Sequence, residues 1–84
     1  MKNRIGVVGI VIENIENVDK VNSILHDFAN IIIGRMGVPY REKNISVISL
    51  IVDGTSDEIS AMTGKLGKVK GVNVKSALTK VETK

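Results

Sequence analysis

The sequence has no cysteine and no tryptophan, and only one phenylalanine, one tyrosine, one proline and one histidine among its 84 residues. Without cysteine there is no disulfide, no thiolate nucleophile and no thiolate ligand for zinc, copper or an iron–sulfur cluster, a composition that fits a cytoplasmic protein. The lone His26 builds no metal site by itself. Phe28 and Tyr40 are the only rings, so the chain lacks the aromatic platform on which RNA-recognition sheets stack bases, and no direct nucleic-acid binding is expected. The first apolar stretch is interrupted at Glu13, too early for a membrane span, and Met1 to Arg4 carries no small-residue cleavage site. The expectation is a soluble cytoplasmic protein with no membrane partner. A chain of 84 residues has room for one domain, residues 1–84, which buries about 60 to 65% of its unfolded surface.

What is present begins with two strands, Ile5 to Ile12 and Ile45 to Val52, that are apolar at nearly every position. Successive side chains on a strand point to opposite faces, so both faces of these strands call for burial. Between them Asn14 to Asn17 supply turn and capping side chains, and Val18, Val21, Ile24, Leu25 and Phe28 recur at helical spacing down to Ala29. Ile31 to Met36 reads as a strand, with Gly34 and Gly37 at positions that suggest a bulge, and Pro39 to Asn44 reads as a polar connection. After Asp53-Gly54, the run Thr55-Ser56-Asp57-Glu58 has the spacing of a capping box ahead of a helix through Ile59, Met62 and Leu66. Gly71 stops that helix before a last strand in which Val72, Val74 and Leu78 alternate with Asn73, Lys75 and Thr79.

The order βαββαβ predicts an α+β, ferredoxin-like fold: a four-stranded antiparallel sheet with two helices on one face. In that topology the first and third strands are central, and they are the two with apolar residues on both faces. One helical layer covers one face. The other is expected to pack on a second copy, through Ile5, Val7, Val47 and Ile51 or through the opposite parity, which makes the chain a homo-oligomer, a dimer or tetramer assembled through the open face or the edges.

Sites are weighed one by one because this fold hosts many functions. The turn Glu13-Asn14-Ile15-Glu16 is acidic where an acylphosphatase-like enzyme needs a cationic phosphate cradle. Asp57 and Glu58 already occupy the positive end of the second helix, so that turn reads as structural capping. His26 with Asp27 is the one acid–base pair on offer, and neighbouring helix residues point about 100° apart. No catalytic residue and no metal ligand is assigned; His26 reads as a surface residue on the helix flank. Arg35 suits a carboxylate across a subunit contact, the plainer alternative being an ion pair in an ordinary hairpin. The lysines Lys65, Lys68, Lys70, Lys75, Lys80 and Lys84 stand against Glu82 alone in the last quarter and contribute to a net charge of +3; they read as a solvated helix end and tail.

The run Ile33-Gly34-Arg35-Met36-Gly37-Val38-Pro39-Tyr40-Arg41-Glu42, with Ile45-Ser46-Val47-Ile48-Ser49-Leu50, Asp53-Gly54-Thr55, Asp57-Glu58-Ile59-Ser60-Ala61, Thr63-Gly64-Lys65-Leu66-Gly67 and Gly71-Val72-Asn73-Val74-Lys75-Ser76-Ala77, closely resembles the iron-only hydrogenase system regulators. The resemblance covers nearly the whole chain. It implies an ACT-like domain related to the ligand-binding half of nickel-responsive repressors, associated with the [FeFe]-hydrogenase system and with transcriptional regulation. The repressors' nickel-binding histidines and cysteine and their ribbon-helix-helix DNA-binding segment have no counterpart here, and Asn14-Ile15-Glu16-Asn17 stands where ACT domains carry a Pro-Gly turn. ACT-like sites lie at subunit contacts, which directs attention to Glu13, Asn14, Ile15 and Glu16 and to Arg35, Tyr40 and Arg41 as ligand-binding candidates. No cofactor is implied. The expected function is a non-catalytic, oligomeric module that senses an unidentified small molecule or docks a regulatory protein; the alternative is a structural adaptor with no ligand.

Overall fold

The computed structural model describes residues 2–83; Met1 and Lys84, named above at the N-terminus and among the lysines, lie outside them. The chain forms β1 (Asn3–Ile12), α1 (Val18–Asp27), β2 (Ile32–Tyr40), β3 (Ile45–Gly54), α2 (Ser56–Gly67) and β4 (Val72–Thr83), with 3₁₀ turns at Ile15–Asn17, Ala29–Ile31 and Arg41–Lys43. The strands make one antiparallel sheet in the order β2-β3-β1-β4, with β1 and β3 central.

Alternation along the central strands assigns the two faces. Val8, Ile10 and Ile12 of β1 and Ile48, Leu50 and Val52 of β3 are buried and meet Val21 and Leu25 of α1 and Ile59, Met62 and Leu66 of α2. These helical positions recur three and four apart, the spacing that turns one stripe of a helix toward a sheet. The capping box at the start of α2 is formed: Glu58 N donates to Thr55 Oγ1 at 3.1 Å, and Thr55 N donates to Glu58 Oε1 at 3.0 Å. Lys65 of α2 lies over the Phe28 ring at 5.5 Å, joining the two helices on their outer side.

The turns into α1 and β4 are tied to each other. Glu13 N donates to Gly71 O at 2.7 Å, and Asn17 Nδ2 donates to Lys70 O at 2.7 Å. Gly71 has φ +78°, the left-handed region that favours glycine, so its place in this corner has a backbone reason.

Three expected boundaries are corrected. The first helix ends at Asp27 rather than Ala29, because Ala29–Ile31 tightens into a 3₁₀ turn that buries Ile31 in the core. The second strand begins at Ile32 and runs to Tyr40, taking in Val38, Pro39 and Tyr40, which the sequence reading placed at or beyond its end. Pro39 is accommodated because β2 is an edge strand, where a missing N–H interrupts least. The last strand continues to Thr83: after a bulge, Glu82 pairs with Arg4 and Thr83 with Asn3, so residues read as a tail extend the sheet. The described lysines of this quarter are exposed on α2, the following turn and β4.

Candidate functional site

One residue in β2 decides what the edge of the sheet presents. Ile32 pairs with Val52, but Gly34 pairs with Ile51 and Arg35 with Leu50, so Ile33 is an extra residue and a β-bulge. Because side chains alternate with period two, one inserted residue exchanges the faces of everything that follows. Arg35 therefore shares the helix-covered face with Leu50, and Met36, Val38 and Tyr40 share the open face with Ser49, Val47 and Ile45.

On the helix side, Arg35 reaches α1 and its Nη2 donates to Asn22 Oδ1 at 2.9 Å. This contact divides a cleft between α1 and β2. One half, about 390 Å³, is lined by Leu25, Ala29, Ile32 and Ile33 together with His26. The other, about 520 Å³, is lined by Ile15, Val18, Pro39 and Ile48 together with Asp19 and Ser46. Asn22 and Arg35 line both. Each volume lies in the range of small-molecule pockets. Among the described residues no carboxylate lies within ion-pair distance of Arg35, so its charge has no protein counterion.

The ligand-binding candidates do not form one cluster. Ile15 and Arg35 meet in the cleft. Glu13 contributes its backbone to the corner with Gly71, and Asn14 Oδ1 accepts from Glu16 N at 3.0 Å, capping the 3₁₀ turn, so these groups hold the turn in shape. Tyr40 faces the opposite side of the sheet from Arg35, and Arg41 opens the 3₁₀ turn beyond it. His26 is exposed on the flank of α1, as the sequence reading had it, and lines the cleft. Asp19 and Asn22, which line the same cleft, went unremarked in sequence. Their signal was the spacing Asp19, Asn22, His26, which keeps three polar residues on one flank of a helix.

The second feature is the open face of the sheet. Val7, Ile51, Met36 and Val38 are 49%, 50%, 65% and 52% exposed, while Val8 and Leu50, their neighbours on the central strands, are at 0%. Val47, opposite both Val11 and Val38, completes an apolar patch across three strands. The open-face parity is thus that of Val7, Val47 and Ile51, the first of the two alternatives left by the sequence.

A four-stranded antiparallel sheet in this order, with both helices on one face, defines the ferredoxin-like class of α+β proteins. Within that class, residues 4–76 match the sequence model of the TM1266-like family, described as "Iron-only hydrogenase system regulator, putative", and the chain belongs to this family. Protein TM1266 from Thermotoga maritima is 39% identical, with TM-score 0.88 over 93% of this chain and 99% of that one. CPII from Thiomonas intermedia K12, a nitrogen regulatory PII-like protein in its apo form, superposes with TM-score 0.61 at 11% identity, over 96% of this chain and 95% of that one. The divalent ion tolerance protein CutA1 from Ehrlichia chaffeensis gives TM-score 0.50 at 17% identity, over 96% and 85%. At such identities these last two likenesses are of the fold. No curated protein matches the chain. Among the described residues no helix is long and apolar enough to cross a membrane.

Proposed function

We propose that this protein is a non-catalytic regulatory module that works as a homo-oligomer, its open sheet face closed by a second copy, and that a small molecule bound at its surface supplies the signal. The apolar open face carries this reading. Ten residues of β1 at about 3.3 Å each and four strands at about 4.8 Å spacing span roughly 600 Å² before side-chain relief is counted. That approaches the ~800 Å² per partner of a standard interface.

The edges favour face packing over strand addition. One edge carries Pro39 and the bulge at Ile33; the other carries Lys75, Lys80 and the irregular pairing between Leu78 and Glu82. Proline, bulges and lysines are the devices that keep sheet edges from pairing. Val7, Val47, Ile51 and Val38 carry no charge, while Lys75, opposite Gly9 on the same face, belongs to the edge strand β4, from which its long side chain reaches water at the rim when two copies meet. Membership of a regulator family supports the regulatory part of the reading.

Native mass spectrometry on freshly purified protein tests it. A dimer or higher even assembly that carries a stoichiometric extra mass supports the whole reading. A bare oligomer that no small molecule stabilises moves the chain to the adaptor reading, and a stable bare monomer overturns the assembly.

A further inference from the structure

The cleft beside α1 has a chemistry that narrows what it takes. We propose that it binds a small monocarboxylate with an apolar tail, the carboxylate held by Arg35 and the tail lying among Leu25, Ala29, Ile32 and Ile33. This rests on the reading of the chain as a ligand-responsive module and names the class of ligand.

Three observations converge. Arg35 lines both halves of the cleft, and among the described residues no carboxylate stands within ion-pair distance of it. One of its N–H groups is committed to Asn22 Oδ1 at 2.9 Å, which orients the guanidinium and leaves its other donors for a ligand. A guanidinium pre-set in this way matches the two oxygens of a carboxylate, and such charge-assisted bonds are the strong ones. The bulge at Ile33 is what brings Arg35 to this face, in keeping with the use of bulges to re-aim a side chain beside a site.

Charge and lining then select within the anions. Arg35 is the one cation among the residues lining the two halves apart from the titratable His26, and Asp19 stands in the half beyond it. That balance suits one negative charge and disfavours a phosphate dianion. The half containing Leu25, Ala29, Ile32 and Ile33 is mostly apolar, so the tail is placed there and not toward Asp19. An amine in place of the carboxylate meets a like charge at Arg35.

The experiment is a titration of the full-length ¹⁵N-labelled protein with hexanoate, with hexylamine and inorganic phosphate as controls, followed by amide shifts and repeated on Arg35→Ala and Arg35→Lys. The expected result is saturable hexanoate shifts at Asn22, Leu25, Ile32 and Gly34, no such shifts from the two controls, affinity about tenfold or more weaker in Arg35→Ala, and partial retention in Arg35→Lys. Equal binding by hexylamine, shifts confined to the open sheet face, unchanged affinity in Arg35→Ala, or no binding at all overturns the proposal. Native mass spectrometry of the same samples separates the two readings: an oligomer that ignores hexanoate sinks the ligand class and leaves the assembly, while a monomer that binds it through Arg35 does the reverse.

Discussion

On the helix side of the sheet Val8, Ile10, Leu50 and Val52 are sealed beneath α1 and α2; on the other side Val7, Val47 and Ile51 carry the same kinds of side chain in the open. Composition does not distinguish the two faces of the central strands. Their difference lies in what covers them: two helices supply one layer, and among the described residues no element lies over the other face. A face built like a core but left uncovered is characteristic of a binding surface, because large exposed apolar patches are uncommon on monomers. The contrast teaches that composition along a strand does not tell a covered face from an open one; in the proposed reading a second copy covers the open face.

The sharpest break of the contrast is a lysine placed on each face in turn. Val8→Lys puts an unpaired charge in the covered core, where the cost is several kcal/mol, and the expected outcome is an unfolded or insoluble protein. Val7→Lys puts the same charge on the open face and is expected to leave circular dichroism native while the assembly falls to monomers in sedimentation. A folded, fully oligomeric Val7→Lys protein refutes the proposed role of the face. Next in size is deletion of Gly37, a paired residue of β2, which slides residues 38–40 by one register and exchanges their faces. The melting temperature is expected to fall well below that after deletion of the unpaired Ile33, which leaves residues 34–40 on their partners and faces; equal values show that Ile33 is not the extra residue.

Cavity-forming changes sharpen the same contrast. Leu50→Ala on the covered side is expected to cost about 3 kcal/mol in urea unfolding, within the usual range for buried leucine. Ile51→Ala, tested at concentrations where the protein is monomeric, is expected to cost less than half of that, since its side chain is half exposed without a partner. Smaller effects come from the helix that seals the covered face. Thr55→Ala removes the capping box of α2 and is expected to cost about 1 kcal/mol. Gly64→Ala adds a methyl group into open space within α2 and is expected to stabilise by about 0.5 to 1 kcal/mol, read as a rise in the urea midpoint.

Much of the architecture was legible in residue order because local signals and burial agree. The two-faced apolar runs announced central strands, the Thr55 to Glu58 spacing announced the start of α2, and Val21, Leu25, Ile59, Met62 and Leu66 announced the stripes that face the sheet. The family was legible as well, from the run around Arg35 through Ala77. The extent of β2 was not, since Pro39 argues against a strand until that strand is known to be an edge. Nor was the candidate site. It depends on Asn22 and Arg35, thirteen positions apart and on different elements, being brought within 2.9 Å.

The sequence by itself determined the order of elements, the central places of β1 and β3 and the surplus of apolar surface, because each follows from periodicity along the chain. Only the tertiary structure decided which parity lies under the helices and on which side Arg35 and Tyr40 emerge. The physical reason is Ile33: a single unpaired residue in a strand of period two reverses the faces of all that follow, and whether it is accommodated as a bulge depends on the pairing with β3.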